Sequence, residues 1–326
     1  MRILSGQDVA RAVPMERAIE AVESAYAQIS AGTASVPLRT AIEQTRYESH
    51  SFFMPASLAG SGGLGMKLVS VFPHNAERHG LPAIHALVVL IEAHTGRPLA
   101  AMDGRYLTAL RTGAASGVST RHLARADARA LALFGAGAQA PHQVLAVCAV
   151  RPIERVMIVN RSRERAEELA AELRGRGVRA DITCASSAAE ALASADVVCC
   201  ATSAATPVFA DGDVRPGTHI SGVGSFTPQM VEVPPATLGR AYVTVDQLGA
   251  AWAEAGDLLA ARAAGLLTPE RTVEIGAVIA GTAPGRTSRE QITYFKSVGN
   301  AAQDIAVAQI ALAEAERLGL GIEVAL

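Results

Sequence analysis

Apolar and polar positions follow two different patterns in the first third of the chain. Residues 14–30 carry apolar side chains at helical spacing, which predicts an amphipathic helix with Pro14 at its start and Gly32 beyond its end. Residues 36–101 predict an antiparallel sheet, because short apolar segments alternate with Gly, Pro and Asn. The clearest segments are 51–54, 65–72 and 83–92, and residues 95–98 are typical of a hairpin tip.

The middle of the chain alternates buried-type strands with helices. After a helix predicted at 103–124, we predict strands at 130–135, 155–160, 180–184, 196–201, 219–224 and 241–246. Helices are predicted at 137–150, 162–174, 187–195 and 298–318. Several strands are apolar on both faces and helices separate them, so we expect an α/β fold with a doubly wound parallel sheet. The last helix is expected to pack on the first domain, which makes that domain discontinuous.

Length and charge narrow the class of protein. The chain has 326 residues, half of them hydrophobic, which is comfortable for two domains. Its net charge of -2 and 4% aromatic residues argue against a nucleic-acid-binding module. The absence of a signal-peptide core and of a long apolar run predicts a cytoplasmic protein that does not span a membrane.

The cysteines have no metal-ligand or redox spacing, so no metal site is expected. Cys199 and Cys200 are adjacent within an apolar segment, which favours buried thiols over a redox or disulfide role.

A glycine-rich segment follows the first strand predicted in the middle of the chain. It matches the GxGxxA fingerprint: Gly135 permits a tight turn, Gly137 lets backbone N–H groups reach a pyrophosphate, and Ala140 allows close packing. Ala138 and Gln139 lie between them, where a helix N-terminus stabilises negative charge. The strand–turn–helix context favours dinucleotide binding over a simple tight turn.

The end of the next predicted strand bears on the choice of cofactor. NAD-preferring sites usually carry Asp or Glu there to bind the ribose 2′-hydroxyl. This chain instead has Asn160, Arg161 and Ser162, followed by Arg163 and Arg165. A guanidinium and a hydroxyl suit a 2′-phosphate, so the sequence favours NADPH, with NADH as the alternative. The arginines can also be the solvated start of a helix.

Three cations lie in apolar or glycine-rich surroundings. They are Arg39, Lys67 and Arg111. An arginine among small residues on a helix often binds a carboxylate through two hydrogen bonds. From the pattern alone, each of the three is equally an anion ligand or a member of a structural ion pair.

The sequence resembles the ornithine cyclodeaminase/μ-crystallin family of dehydrogenases along nearly its whole length. The segments that carry the resemblance are GMK at 65–67, GRPLA at 96–100 with MDG at 102–104, LTALRTG at 107–113, GAGAQA at 135–140, NRS at 160–162, and SVG at 297–299 followed by Asp304. Their order and spacing are specific.

The resemblance implies a homodimer. Each subunit pairs a central Rossmann NAD(P)-binding domain, residues 119–296, with a substrate-binding and dimerisation domain built from residues 1–118 and 297–326. Members of the family handle small 2-amino acids or cyclic imino acids.

The resemblance also implies roles for individual residues. Arg39, Lys67 and Arg111 match the group that holds the substrate carboxylate against the nicotinamide. Thr202, together with Val223 and Gly224, matches positions that line the nicotinamide half of the cofactor.

One departure from the family pattern bears on the reaction. Cyclodeaminases carry an Asp just after the Val-Gly step, where this chain has Ser225. A serine hydroxyl is no carboxylate base at neutral pH and pairs weakly with a cationic amine. The sequence therefore favours members that reduce cyclic ketimines, such as Δ1-pyrroline-2-carboxylate or Δ1-piperideine-2-carboxylate, to L-proline or L-pipecolate.

Ketimine reduction needs little acid–base machinery, and three side chains are candidates for it. Lys67 is a candidate for a proton relay as well as an anchor, and the sequence does not separate these two roles. Ser225 is a candidate for hydrogen bonding to the iminium or to a water, and His85 alternates with apolar residues on a predicted strand. His85 can equally be an ordinary sheet histidine, and His50 is a weaker candidate.

The prediction is thus an NADPH-dependent ketimine reductase. The alternatives are an NAD(H)-dependent alanine dehydrogenase or a cyclodeaminase on the same scaffold. An alternative of another class is a μ-crystallin-like protein that binds NADPH and a small ligand, with catalysis secondary.

Overall fold

The computed structural model describes residues 1–325. The chain folds into two compact units: the first combines Met1–Arg111 with the segment from Asn300 onward, and the second is Thr112–Gly299. The expected boundaries were residues 118 and 297, so the first unit ends earlier than expected, inside a long helix.

The elements alternate along the chain as follows. The helices are α1 (Gly6–Ala12), α2 (Met15–Ser30), α3 (Asn75–His79), α4 (Gly104–Leu123), α5 (Ala140–Val150), α6 (Arg163–Gly175), α7 (Ala188–Leu192), α8 (Pro235–Arg240), α9 (Leu248–Glu254), α10 (Gly256–Ala263), α11 (Ile275–Ile279) and α12 (Ala301–Leu318). The strands are β1 (Arg2–Leu4), β2 (Ala34–Ser35), β3 (Thr40–Gln44), β4 (Ser49–Leu58), β5 (Gly63–Val71), β6 (Ile84–Glu92), β7 (Pro98–Asp103), β8 (Ala130–Phe134), β9 (Arg155–Val159), β10 (Asp181–Cys184), β11 (Val197–Cys200), β12 (His219–Gly222), β13 (Tyr242–Val245), β14 (Thr272–Glu274), β15 (Thr293–Lys296) and β16 (Ile322–Glu323).

The first unit is built on a mainly antiparallel sheet. Its strands run in the order β16-β1-β7-β6-β5-β4-β2, with β3 paired to β4. The predicted sheet over residues 36–101 is therefore present, and α12 packs on β4, β5 and β6. Gly63 and Gly65 make this contact close, because a Cβ on either would lie within 3.0 Å of Ile305.

The central strands of this sheet have one covered and one uncovered face. Met54, Lys67 and Val88 are paired across β4, β5 and β6, and all three are buried. The neighbouring row, Leu68 with Leu87, is half-buried or exposed. Because successive side chains of a strand point to opposite faces, the first row lies beneath α12 and the second faces away from it.

The second unit is a parallel sheet with helices between its strands. The order is β10-β9-β8-β11-β12-β15-β13-β14, and every neighbouring pair is parallel. The chain starts at β8 and adds β9 and β10 on one side and β11 and β12 on the other. This reversal at β8 is the topological switch point of a Rossmann-type fold, which confirms the predicted fold class.

Alternate residues of these strands enter two different cores. Leu133 packs in a core with α5 and α6, whereas Phe134 packs in a core with α8, α9 and α10. Cys199 and Cys200 follow the same rule, one in each core, and both are fully buried free thiols. Burial raises the pKa of both thiols, which makes them unreactive.

Some elements were not predicted from the pattern. The four-residue β15 lies between β12 and β13 in the second sheet, although its sequence, TYFK, mixes apolar and polar residues. Strand β1 was also missed, and it joins the first sheet parallel to β7. Within residues 1–325, no helix combines the length and apolar character needed to cross a membrane.

Candidate functional site

A buried group of charges occupies the covered face of the first sheet. Lys67 lies in the middle of β5, Arg111 on α4 and Asp304 on the first turn of α12. Lys67 Nζ lies 2.8 Å from Oδ2 of Asp304, and Nε of Arg111 donates to Oδ1 at 3.0 Å. Lys67 is 2% exposed and Arg111 6%, so one carboxylate is shared by two buried cations.

Neutral partners fix the direction of the Arg111 guanidinium. Its Nη1 donates to Oε1 of Gln303 at 2.7 Å, and Nε2 of Gln303 donates to the Tyr26 hydroxyl at 2.8 Å. Gln303 and Tyr26 are fully buried on α12 and α2. A buried chain of this kind holds a polar side chain in one orientation.

Arg39 adds a third positive charge. Its guanidinium lies 5.6 Å from the centre of the Phe52 ring, and its charge acts on Lys67. Burial lowers the pKa of Lys67 to about 8, Asp304 opposes this shift, and the charges of Arg111 and Arg39 add to it. The structure therefore brings Lys67 and Arg111 together on Asp304, with the charge of Arg39 acting on Lys67, and these two buried cations exceed the single carboxylate in charge. Such a site favours a small anion.

His85 does not join this group. It pairs with Ser70, whereas Lys67 pairs with Val88, three residues away on β6. An odd separation on a strand places His85 on the opposite face of the sheet, where it is exposed. The prediction that His85 faces the pocket is not supported, and its alternative interpretation as a sheet histidine fits.

The glycine-rich segment of the second unit forms the turn that the fingerprint requires. Gly135 has φ +100°, and a Cβ there would lie 2.6 Å from the Ala201 carbonyl oxygen. A Cβ on Gly137 would meet nothing within 4 Å, so this position opens to space that a pyrophosphate can enter. Ala140 is fully buried at the start of α5, where it allows close packing.

The residues around this turn fit a dinucleotide. Gln139 leaves its Oε1 buried without a hydrogen-bond partner among residues 1–325, and no side chain caps α5. Asn160 ties the two loops together, since its Oδ1 accepts from Ala136 N and its Nδ2 donates to Ser162 O. Ala138 is exposed beside the turn.

The loop after β9 presents the predicted 2′-phosphate ligands. Arg161 is exposed and makes no ion pair within residues 1–325. The Ser162 hydroxyl caps α6 by accepting from Arg165 N. Arg163 pairs with Glu167 on the helix surface, in line with the solvated interpretation of that arginine.

The loops after β11 and β12 meet through a buried carboxylate that the sequence did not single out. Glu232 accepts from Thr202 in one loop and from the backbone N–H groups of Gly224 and Ser225 in the other. Val223, directly after β12, is 8% exposed.

Ser225 has a different role from the predicted one. It is fully buried, and its hydroxyl donates to the Met230 carbonyl at 2.6 Å and accepts from Asp257 N at 3.4 Å. The hydroxyl is thus engaged inside its own loop, which does not support the prediction that it contacts an iminium or a water in the site.

Three more buried charges were missed. Asp257 accepts from Lys296 Nζ at 3.0 Å and from the Tyr294 hydroxyl at 2.9 Å. Asp246 accepts from Ser297 Oγ and Gly299 N, both at 2.8 Å. None belongs to a short motif, and the available signal was only a charged residue within or beside a buried segment.

Comparison with known proteins places this geometry in context. The ornithine cyclodeaminase/mu-crystallin family model matches residues 1–317. A Δ1-pyrroline-2-carboxylate reductase of Bacillus cereus is 38% identical over 323 residues, which is 98% of each chain.

Two solved structures share the whole fold. The Thermococcus litoralis Δ1-pyrroline-2-carboxylate reductase, in complex with NADH and L-proline, is 37% identical with a TM-score of 0.94, covering 99% of this chain and 100% of that one. An archaeal alanine dehydrogenase dimer with bound NAD is 34% identical with a TM-score of 0.92, covering 100% and 99%. The chain belongs to the ornithine cyclodeaminase/mu-crystallin family.

Proposed function

We propose that this protein reduces a cyclic ketimine carboxylate, Δ1-pyrroline-2-carboxylate or Δ1-piperideine-2-carboxylate, to L-proline or L-pipecolate with NADPH. The observation that carries the proposal is the buried excess of positive charge around Lys67 and Arg111. It fits the single carboxylate of such a substrate. The names of the bacterial relative and of the Thermococcus structure support the same substrate class.

The residues of this chain act mainly by binding. Arg111 is fixed by Asp304 and Gln303, and within residues 1–325 its Nη2 is left for a carboxylate oxygen. Lys67 supplies a second charge. When bound, the reduced dinucleotide supplies a hydride to the imine carbon. A protonated imine is already electrophilic, so correct orientation and exclusion of water are what the protein must add.

The two alternative reactions differ in the catalytic groups that they need. Cyclisation of ornithine requires a group that handles the amines, and Ser225 is buried within its loop. An alanine dehydrogenase remains a second candidate, because the archaeal structure has the same fold and the cationic group also fits the pyruvate carboxylate.

Steady-state assays test the proposal. We expect the purified protein to oxidise NADPH with either cyclic imine and not with pyruvate plus ammonia. Because conversion of ornithine to proline consumes no NADPH overall, that alternative is assayed by ammonia release, and we expect none. Arg111→Ala should raise the KM for the imine by about tenfold to a hundredfold, the usual cost of a lost charged hydrogen bond, and change the KM for cofactor little. Arg105→Ala, on an exposed part of α4, is the matched control. Turnover of pyruvate plus ammonia alone would refute the assignment.

The pKa of Lys67 predicts a pH dependence. Below pH 8 its amine is protonated and attracts the substrate carboxylate, and the charge is lost as the pH rises through about 8. We therefore expect kcat/KM for the imine to fall above that pH. Lys67→Arg keeps its charge in this range, so its alkaline decline should disappear except for any part due to the substrate itself. Identical pH profiles for the two proteins would show that Lys67 does not titrate in the site.

NADPH preference is proposed from the loop after β9. Exposed Arg161 suits a 2′-phosphate, although the Thermococcus structure holds NADH. Arg161→Ala should raise the Kd for NADPH by about tenfold, the cost of one charged hydrogen bond, and leave that for NADH unchanged. Arg179→Ala, exposed before β10, is the control. An unchanged ratio of the two dissociation constants would exclude Arg161 as the selective residue.

A homodimer through the uncovered face of the first sheet is also proposed. Phe53, Met66, Leu68, Leu87 and Val89 form adjacent rows there and are half-buried or exposed. The archaeal relative is described as a dimer, and a continuous apolar sheet face is typical of a protein interface.

Light scattering tests this interface. Leu87→Glu should convert a dimer into a monomer, because a carboxylate buried without a partner destabilises an interface. Leu318→Glu, at an exposed position of α12, should leave the mass unchanged. A dimeric Leu87→Glu protein would place the interface elsewhere.

A further inference from the structure

Glu232 joins two loops of the second unit through four hydrogen bonds. Its Oε1 accepts from Thr202 N at 2.6 Å and from Thr202 Oγ1 at 2.8 Å. Its Oε2 accepts from Gly224 N at 2.8 Å and from Ser225 N at 2.9 Å. Both oxygens are therefore occupied by donors from the protein.

These loops leave neighbouring strands at the same edge of the sheet. Strand β11 ends at Cys200 and β12 at Gly222, and the two strands are parallel partners. Ligands of doubly wound sheets bind at the carboxyl ends of the strands near the switch point, which here is β8 with its glycine turn. The contacts of Glu232 lie two to three residues beyond the strand ends.

The loops are also in direct contact. A Cβ on Gly224 would lie 2.1 Å from the Thr202 carbonyl oxygen and 2.5 Å from Oε1 of Glu232. Any side chain at this position would separate the loops. Gly224 thus permits the close approach of the two loops, and the Glu232 carboxylate holds them together.

A second layer of buried charge fixes Glu232 itself. Asp257 Oδ1 accepts from Glu232 N at 2.7 Å, and its Oδ2 accepts from Lys296 Nζ at 3.0 Å. Lys296, Asp257 and Glu232 are all 0% exposed. Burial raises the pKa of the Glu232 carboxyl, and the charge of Lys296 opposes that shift. The carboxylate cannot reach a substrate, because it is enclosed and its oxygens are engaged.

We propose that Glu232 is a positioning residue that holds the Thr202 loop and the Gly224–Ser225 loop in the form that binds the nicotinamide half of the cofactor. The inference rests on the proposed dinucleotide-dependent function. Glu232 acts through backbone N–H groups and does not touch the reacting atoms. Its loss should affect the nicotinamide end and leave the adenosine end, held at the glycine turn and at Arg161, unchanged.

The test compares whole cofactor with a fragment that lacks nicotinamide. Glu232→Gln places an amide NH2 group against backbone donors and breaks two of the four hydrogen bonds. It should raise the Kd for NADPH and lower kcat by about tenfold or more, and leave the Kd for 2′-phospho-ADP-ribose within about twofold. NADH and ADP-ribose form a second pair of probes.

Two further variants keep the test decisive. Asp211→Asn is the control, because the Asp211 carboxylate also accepts from a threonine hydroxyl, that of Thr237, but lies before β12. This variant should change neither the Kd for NADPH nor the Kd for 2′-phospho-ADP-ribose. Thr202→Val removes the hydroxyl that donates to Glu232 and accepts from Ala204 N, but keeps the backbone donor of Thr202. It should show a smaller effect in the same direction, even if Glu232→Gln folds poorly.

The outcomes separate this role from the proposed function. If the wild-type protein binds NADPH and the Kd for NADPH and kcat are unchanged in Glu232→Gln and Thr202→Val, only the positioning role is overturned. If the substitution weakens the binding of NADPH and of 2′-phospho-ADP-ribose equally, Glu232 has a general structural role, and the positioning role is again overturned. Wild-type protein that binds neither dinucleotide refutes the proposed function, and the role of Glu232 with it.

Discussion

Two buried cations that share one carboxylate are the constraint on which the first unit depends. Burying Lys67 and Arg111 beside Asp304 alone is costly, because the desolvated positive charge is not fully balanced. The surrounding structure holds these groups in place through the centre of β5, the helix α12 and the Gln303–Tyr26 hydrogen bond. A bound anion balances this excess of positive charge, which is the physical basis of the proposed carboxylate site.

The second unit uses buried charge in the opposite way. Glu232 is surrounded by N–H and O–H donors, and Asp257 is paired with Lys296, so these charges have their partners within the fold. Asp246 ties the loop after β15 in the same manner. Rigid loops bind a large cofactor without a further ordering cost, which is the general benefit of preorganisation. One unit thus contains more buried positive than negative charge, and the other uses buried charge to hold its loops.

The periodicity of the sequence predicted most of the fold, because long alternating or helical segments carry strong signals. It missed β15, whose four residues include Thr and Lys that become buried only through contacts with distant strands. The resemblance grouped Arg39, Lys67 and Arg111, whereas the pattern of each cation alone left its role open. His85 was misplaced because its face depends on the pairing of β5 with β6, and Ser225 because its hydroxyl bonds to a backbone carbonyl nearby. Neither register nor backbone contacts can be derived from residue types.

The distance along the chain between the partners of the charge group has a consequence for synthesis. Asp304 follows Arg111 by 193 residues. At ribosomal rates of roughly 5–20 residues per second, Arg111 is made roughly 10–40 s before its counterion, and Lys67 is made earlier still. All the strands of the parallel sheet, which lie within residues 112–299, are made during that interval. A nascent chain therefore has the whole of the second unit available for folding while the first unit still lacks α12 and its counterion.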